Sequence, residues 1–207
     1  MELDAAETRV VGSLIEKQLT TPQQYPLTLN ALVAACNQTS NRNPVVSYDD
    51  PAVESTVAAL KDKGLLRFVH PSHGRSATRY RQVLDEVLGL EEKPLALLGV
   101  LMLRGPQTVG ELRARTERMA TFADLGEVEA VLEELGRREE PLVMRLARQP
   151  GQKEERYAHL LAGEVTGEEP VAAVPVAATR PDAVAELRAE VAELRRQLDE
   201  VREQLGL

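Results

Sequence analysis

Apolar side chains recur at helical spacing from the start of the chain. Val10, Val11, Leu14, Ile15 and Leu19 predict a helix over residues 3–19 with one apolar face. TTPQQYP, with two prolines, predicts a loop. Thr28 is placed as the N-cap of a second helix whose apolar face is Leu29, Leu32, Val33 and Cys36. After a polar loop, Asp50-Pro51 starts a third helix, with Asp as cap and Pro in the first turn. Its inward side is Val53, Val57 and Leu60, and Gly64 stands where a C-terminal glycine belongs. LLRFVH and ATRYRQV are β-rich runs around PSHGRS and predict a hairpin.

The pattern then restarts. Residues 95–103 predict a strongly apolar helix that stops at Gly105-Pro106. Thr108 and Glu111 carry a capping-box spacing, and Asp124 caps a helix with Val128, Val131, Leu132 and Leu135 inside. LVMRLAR and EERYAHL flank Gln149-Pro150-Gly151-Gln152 as a second hairpin. The halves align directly. Val53-Glu54 matches Val128-Glu129, and Leu60 matches Leu135. Beyond a two-residue insertion, Leu65 matches Leu142, Gly74 matches Gly151, and Arg79-Tyr80 matches Arg156-Tyr157. Such self-similarity indicates a duplication. Three helices followed by a β-hairpin is the winged-helix plan. The expected fold is therefore mainly α with small β-hairpins (α+β), as two winged-helix domains over residues 1–88 and 89–162.

Residues 163–181, with Pro170, Pro175 and Pro181 among Ala, Val and Glu, show no period and predict a semi-extended linker. In residues 182–207, Val184, Leu187, Val191, Leu194, Leu198, Val201 and Leu205 alternate steps of three and four, a heptad seam. Valine at two early a positions with Leu at the following d positions favours a parallel homodimer, and Glu190 is placed to face Arg195 of a partner helix. The competing expectation is a helix folded back on its own body. The narrow seam and long linker favour the dimer.

Composition narrows the chemistry. Aromatics are 3% of the 207 residues and Trp is absent, so the core must be aliphatic. The net charge is -8, of which residues 163–207 carry -5, so the body is near neutral. A single cysteine, Cys36, excludes an intramolecular disulfide and a multi-cysteine zinc site. No run reaches the roughly 18 apolar residues of a membrane span, and MELDAAETRV lacks secretory-signal character. No membrane association and a cytoplasmic location are expected by default.

The stretch RVVGSLIEKQLTTPQQYPLTLNALVAACNQTSNRNPV resembles the signature of the YceH-like bacterial family. LRGPQTVGELRARTERM, FADLGEVEAVLEELGRRE and VMRLARQPGQKEERYAHLLAGEV extend the resemblance over nearly the whole chain. It implies a tandem winged-helix fold with a terminal coiled coil. It implies no activity and no catalytic residues.

No catalytic, cofactor-binding or metal-ligating set is expected. His70 and His73 flank a hairpin tip without an accompanying Cys or carboxylate, and Cys36 lies on an apolar helix face. The candidate contact surface is the polar loop with Asn37, Gln38, Asn41 and Arg42, together with Gln24 and Tyr25. Amides and guanidinium can pair with a base edge, a phosphate or a backbone, yet they also tie down turns. The candidate wing contacts are Arg67, Arg75, Arg79 and Arg81, then Arg145, Arg148, Lys153 and Arg156. The third helices, which would meet bases in a DNA reader, carry Glu54 and then Glu127, Glu129, Glu133 and Glu134. The expected function is thus a non-enzymatic interaction or regulatory module that binds an unidentified protein partner. The alternative is a DNA-binding transcriptional regulator that uses its basic wings and the Asn37–Asn43 loop; any nucleic-acid affinity is expected to be weak.

Overall fold

The computed structural model describes residues 2–70, 77–148 and 154–163. The heptad seam from Val184 to Leu205, together with Arg75, Lys153, His73, Gly74 and Gly151, lies outside them. The described residues fall within one compact unit.

The fold is mixed α and β. Helix α1 (Ala5–Thr20) opens with a capping box, in which Asp4 accepts from the Glu7 amide and Glu7 accepts from the Asp4 amide. A 3-10 turn (Pro22–Gln24) and a two-residue strand β1 (Leu27–Thr28) follow. Thr28 caps α2 (Leu29–Cys36) as expected. The third helix, α3 (Asp50–Asp62), is capped by Asp49 rather than Asp50: Asp49 takes the Ala52 amide, leaving Asp50 and Pro51 inside the first turn. Strands β2 (Leu66–Val69) and β3 (Arg79–Gln82) are antiparallel, and β1 joins the free edge of β3, giving the order β1-β3-β2. A short helix, α4 (Leu84–Leu88), ends this half at Gly89, whose φ of 61° a side chain would strain.

The second half is α5 (Glu92–Arg104), α6 (Val109–Thr116), α7 (Leu125–Gly136), β4 (Val143–Leu146) and β5 (Arg156–His159). The two halves correspond where the sheet meets the start of the second helix. Tyr80 pairs with Leu27, the residue before the Thr28 cap; Tyr157 pairs with Gln107, the residue before the Thr108 cap. The shared Arg-Tyr therefore marks the same place in both sheets. The connections between second and third helices differ: residues 37–49 join α2 to α3, whereas only residues 117–124 join α6 to α7.

The halves meet along α1 and α5. In α5, residues 95–103 are all buried, as an all-apolar helix requires. More unexpectedly, α1 is enclosed on every side over residues 7–15, although its pattern indicated one apolar face. Two glycines permit the close approach. A Cβ on Gly99 would stand 2.8 Å from Ile15 Cγ2, and one on Gly12 would stand 3.0 Å from Leu103 Cγ. Each helix thus offers a glycine to the other's large aliphatic residue. Around this seam Leu14, Leu32, Val57, Leu60, Leu65, Leu101, Leu112, Leu132 and Leu135 are all buried in one aliphatic core.

Candidate functional site

The residues of the 37–43 loop divide by role. The Asn37 side chain exchanges two hydrogen bonds of 2.8 Å with the Tyr48 backbone and so closes the loop on itself. Arg42 is 6% exposed. It donates to both oxygens of Glu16 (3.2 and 2.7 Å) and to the Ala35 carbonyl at the end of α2 (2.8 Å). Arg9 donates to the Cys36 and Pro44 carbonyls. Two arginines thereby satisfy carbonyls that a helix C-terminus leaves unpaired. Burial would raise the Glu16 carboxyl, but the Arg42 hydrogen bonds and charge, with Lys17, hold it below its ordinary value.

Other residues of that loop reach towards the second half. Asn41, at φ 58°, accepts from Arg104, and the Asn43 amide donates to the Leu103 carbonyl (2.8 Å). Gln38 accepts from Lys17 at 3.4 Å. The Tyr25 hydroxyl accepts from the Gln82 amide (2.8 Å), pinning the 3-10 turn to β3, and burial pushes its pKa up. Gln24 is exposed.

Most described wing cations are engaged by the chain itself. Arg67 pairs with Glu86 at 3.1 Å, and Arg81 contacts the same carboxylate. Arg79 donates to the Pro26 carbonyl (2.8 Å), Arg156 to the Pro106 carbonyl (3.0 Å), and Arg145 pairs with Glu155 at 3.1 Å. Arg148 is exposed. The α3 surface shows Asp50, Glu54 and Ser55 at its N-terminal end, with Lys61 and Lys63 only at the other end. Glu129, Glu133 and Glu134 are exposed on α7, while Glu127 is held by Lys93 and the Ala123 amide. A groove of about 740 Å³ lies between α7 and β4, lined in part by Leu132, Val143, Met144, Tyr157 and Leu160. Glu133 and Arg145 border it.

A cationic cleft beside the 37–43 loop carries no signature in the sequence. Lys17, Arg104, Arg115 and Arg118 line a cavity of about 170 Å³ with Gln38, Ser40 and Asn41. The polar loop pointed to one wall; the other wall is formed by helices distant in sequence.

Cys36 is buried, and burial pushes its thiol above the ordinary range, away from the reactive thiolate. His70 is exposed and 3.4 Å from Thr78. Among the described residues no three His, Cys, Asp or Glu side chains gather to hold a metal ion, and no helix is long and apolar enough to cross a membrane.

Comparison with known proteins gives the chain a family. The family described as "Protein of unknown function, DUF480" matches residues 3–152. A UPF0502 protein of Geobacter metallireducens is 56% identical over 172 residues, covering 82% of this chain and 78% of its own. A UPF0502 protein of Pelobacter propionicus is 55% identical over 168 residues, covering 81% and 76%. One from Solibacter usitatus is 48% identical over 192 residues, covering 92% and 91%. At this identity and coverage, with the family match spanning both helical halves, the chain belongs to the DUF480/UPF0502 family of uncharacterised bacterial proteins.

Proposed function

We propose that the chain is a non-enzymatic regulatory module of two winged helices that docks a protein partner on its α7 face and works as a dimer through its tail. One observation carries the reading: α7 exposes Glu129 and Glu134, with Glu133 paired to Arg137, beside an apolar-floored groove. Apolar contact supplies affinity and the carboxylates select partner charge. The fitting partner is a segment with apolar anchors flanked by Lys or Arg. DNA phosphates would be repelled by the same surface.

The test is affinity capture with the full chain and with a Glu129→Arg, Glu134→Arg variant at physiological salt. The reading expects a protein retained by the native chain and lost by the variant, with a segment that binds the native chain directly. Equal retention by both would overturn it. Light scattering supplies the second arm. The full chain should be a dimer and a chain stopped at Arg180 a monomer; equal masses for the two would remove the tail from the reading.

A further inference from the structure

The cleft beside the 37–43 loop draws its walls from both halves. Lys17 comes from the last turn of α1, Gln38, Ser40 and Asn41 from the loop, Arg104 from the end of α5, and Arg115 and Arg118 from the end of α6 and just beyond. Arg42 lies behind the loop wall, donating to Glu16, which also lines the cleft. The charges do not balance. Among the described residues five cations gather here, and the two carboxylates among them are already committed. Glu16 takes Arg42 on both oxygens and Lys17 at 3.0 Å. Glu111 faces Arg115 at 3.3 Å while its other oxygen receives the Thr108 amide. About three positive charges therefore stand uncompensated, in a chain whose net charge is -8.

Arg104 registers the crowding: burial first, then the charges of Arg115 and Arg42, lower its pKa. Among the described residues Arg118 has no ion-pair partner. Like charges held together in a partly sheltered cleft raise the free energy of the empty state, and an anion relieves it. The Arg115 and Lys17 side chains are only 29% and 20% exposed, so their attraction for an anion is less screened than at an open surface.

We propose that this cleft binds a phosphoryl group, as inorganic phosphate or as the head of a small phosphomonoester. Guanidinium forks match phosphate oxygens in pairs, which favours this class over a point-like anion. The dianion answers an excess of about three charges better than a monocarboxylate does. Size agrees, because about 170 Å³ is well below the roughly 300–1,000 Å³ of drug-sized pockets. Arg104, Arg115, Arg118 and Lys17 supply the charge, and Ser40 and the Gln38 amide supply neutral donors. Since the walls belong to both halves, an occupied cleft ties the α1 end to the α6 end.

The experiment is thermal unfolding of the full chain, titrated with sodium phosphate at constant ionic strength set by sodium chloride. Binding to the folded state alone raises Tm along a saturating curve. The native chain should show that curve, and the Arg115→Gln, Arg118→Gln chain should need at least tenfold more phosphate for half-saturation. Arg118→Gln alone changes an exposed side chain, so it keeps the test readable if the double variant folds poorly; it should weaken binding in the same direction. Arg113→Gln, outside the cleft, should bind as the native chain does. A parallel titration with adenosine monophosphate separates the sources. Tighter binding than phosphate identifies an ester as the fitting form, and equal or weaker binding identifies the free ion. No saturating rise beyond chloride, or one unchanged in both variants, overturns the proposal.

Discussion

Arg42 shows at residue scale how a polar loop in sequence becomes two different things in space. Its neighbours Asn37, Gln38 and Asn41 carry similar hydrogen-bonding groups. Composition could not separate them, because a turn-closing Asn and a contact-making Asn have the same side chain. What separates them is proximity to α2 and α5. Asn37 and Arg42 meet backbone carbonyls or amides and Glu16, whereas Gln38 and Asn41 line the cationic cleft. The four cleft cations were individually legible, but their convergence needed the α1–α5 crossing. His159 is another residue whose setting the pattern hid. It lies on β5, its Nδ1 is buried without a hydrogen-bond partner among the described residues, and burial depresses its pKa to about 4. An unfolded histidine titrates near 6.5. Between about pH 6.5 and pH 4 the unfolded chain therefore takes up a proton that the folded chain refuses. Stability from this group is complete above that window and falls as pH drops through it. Urea unfolding of the native chain and of His159→Gln across pH 7 to 4 should show the native chain losing about 1–2 kcal/mol relative to the variant, allowing for partial solvent contact. Parallel stability curves would refute the buried neutral imidazole.

Elements with a long period or a strong cap were readable, and short ones were not. All six longer helices and the four hairpin strands were expected from apolar spacing and from Thr28, Thr108 and Asp124. Strand β1 has two residues and α4 has five, too few for a period to emerge. Both exist because a neighbour completes them: β1 needs the edge of β3, and α4 inserts Leu84 into the core. The enclosure of α1 has the same origin. Glu7, Arg9 and Ser13 mark faces that would meet water on a lone helix. Glu7 meets Lys63 at 2.6 Å, and Arg9 meets the Cys36 carbonyl at the end of α2 and the Pro44 carbonyl beyond it. The α1–α5 crossing yields a paired prediction. In Gly99→Ala, the new methyl would lie 2.8 Å from a β-branched Ile15, a stiff neighbour, and 3.2 Å from Met119. Overpacking of this kind costs about 1–3 kcal/mol, more than the helix-propensity gain of up to about 1 kcal/mol. In Gly110→Ala the nearest atom is 4.0 Å away, so the variant should gain about 0.4–1 kcal/mol. Denaturant unfolding of both should move the midpoints in opposite directions. A Gly99→Ala chain as stable as the native one would show that α1 and α5 do not approach so closely.

Across the whole molecule the duplication was the most legible feature, since the Arg-Tyr offset of 77 recurs as Tyr80 and Tyr157 in the same sheet position. The acidic α7 face was legible from the spacing of Glu129 and Glu133, whereas the cationic cleft was not, because its cations come from separate elements. The body's small net charge conceals an acidic α7 surface and a cationic cleft that cancel in the sum. This separation governs what the molecule does with DNA. A third helix reading bases needs groups complementary to base edges and cations for the flanking phosphates. Here the start of α3 carries Asp49, Asp50 and Glu54, and α7 shows Glu129, Glu133 and Glu134. The wing arginines Arg67, Arg81 and Arg145 already face Glu86 or Glu155, so a phosphate must displace a carboxylate to reach them. Binding to random and selected duplexes, titrated from low to physiological salt, should therefore stay within the roughly 10⁻⁴–10⁻⁶ M range of non-specific contact and weaken steeply with salt. Exchanging Arg67 and Arg145 for Gln should weaken it further and flatten the salt dependence, because each lost phosphate contact removes a released counterion. Tight binding at physiological salt that is lost on changing Glu54 or Ser55, yet kept on changing Arg67 and Arg145, would place base reading on α3 despite its acidic start and overturn the protein-docking reading in favour of a DNA-binding regulator.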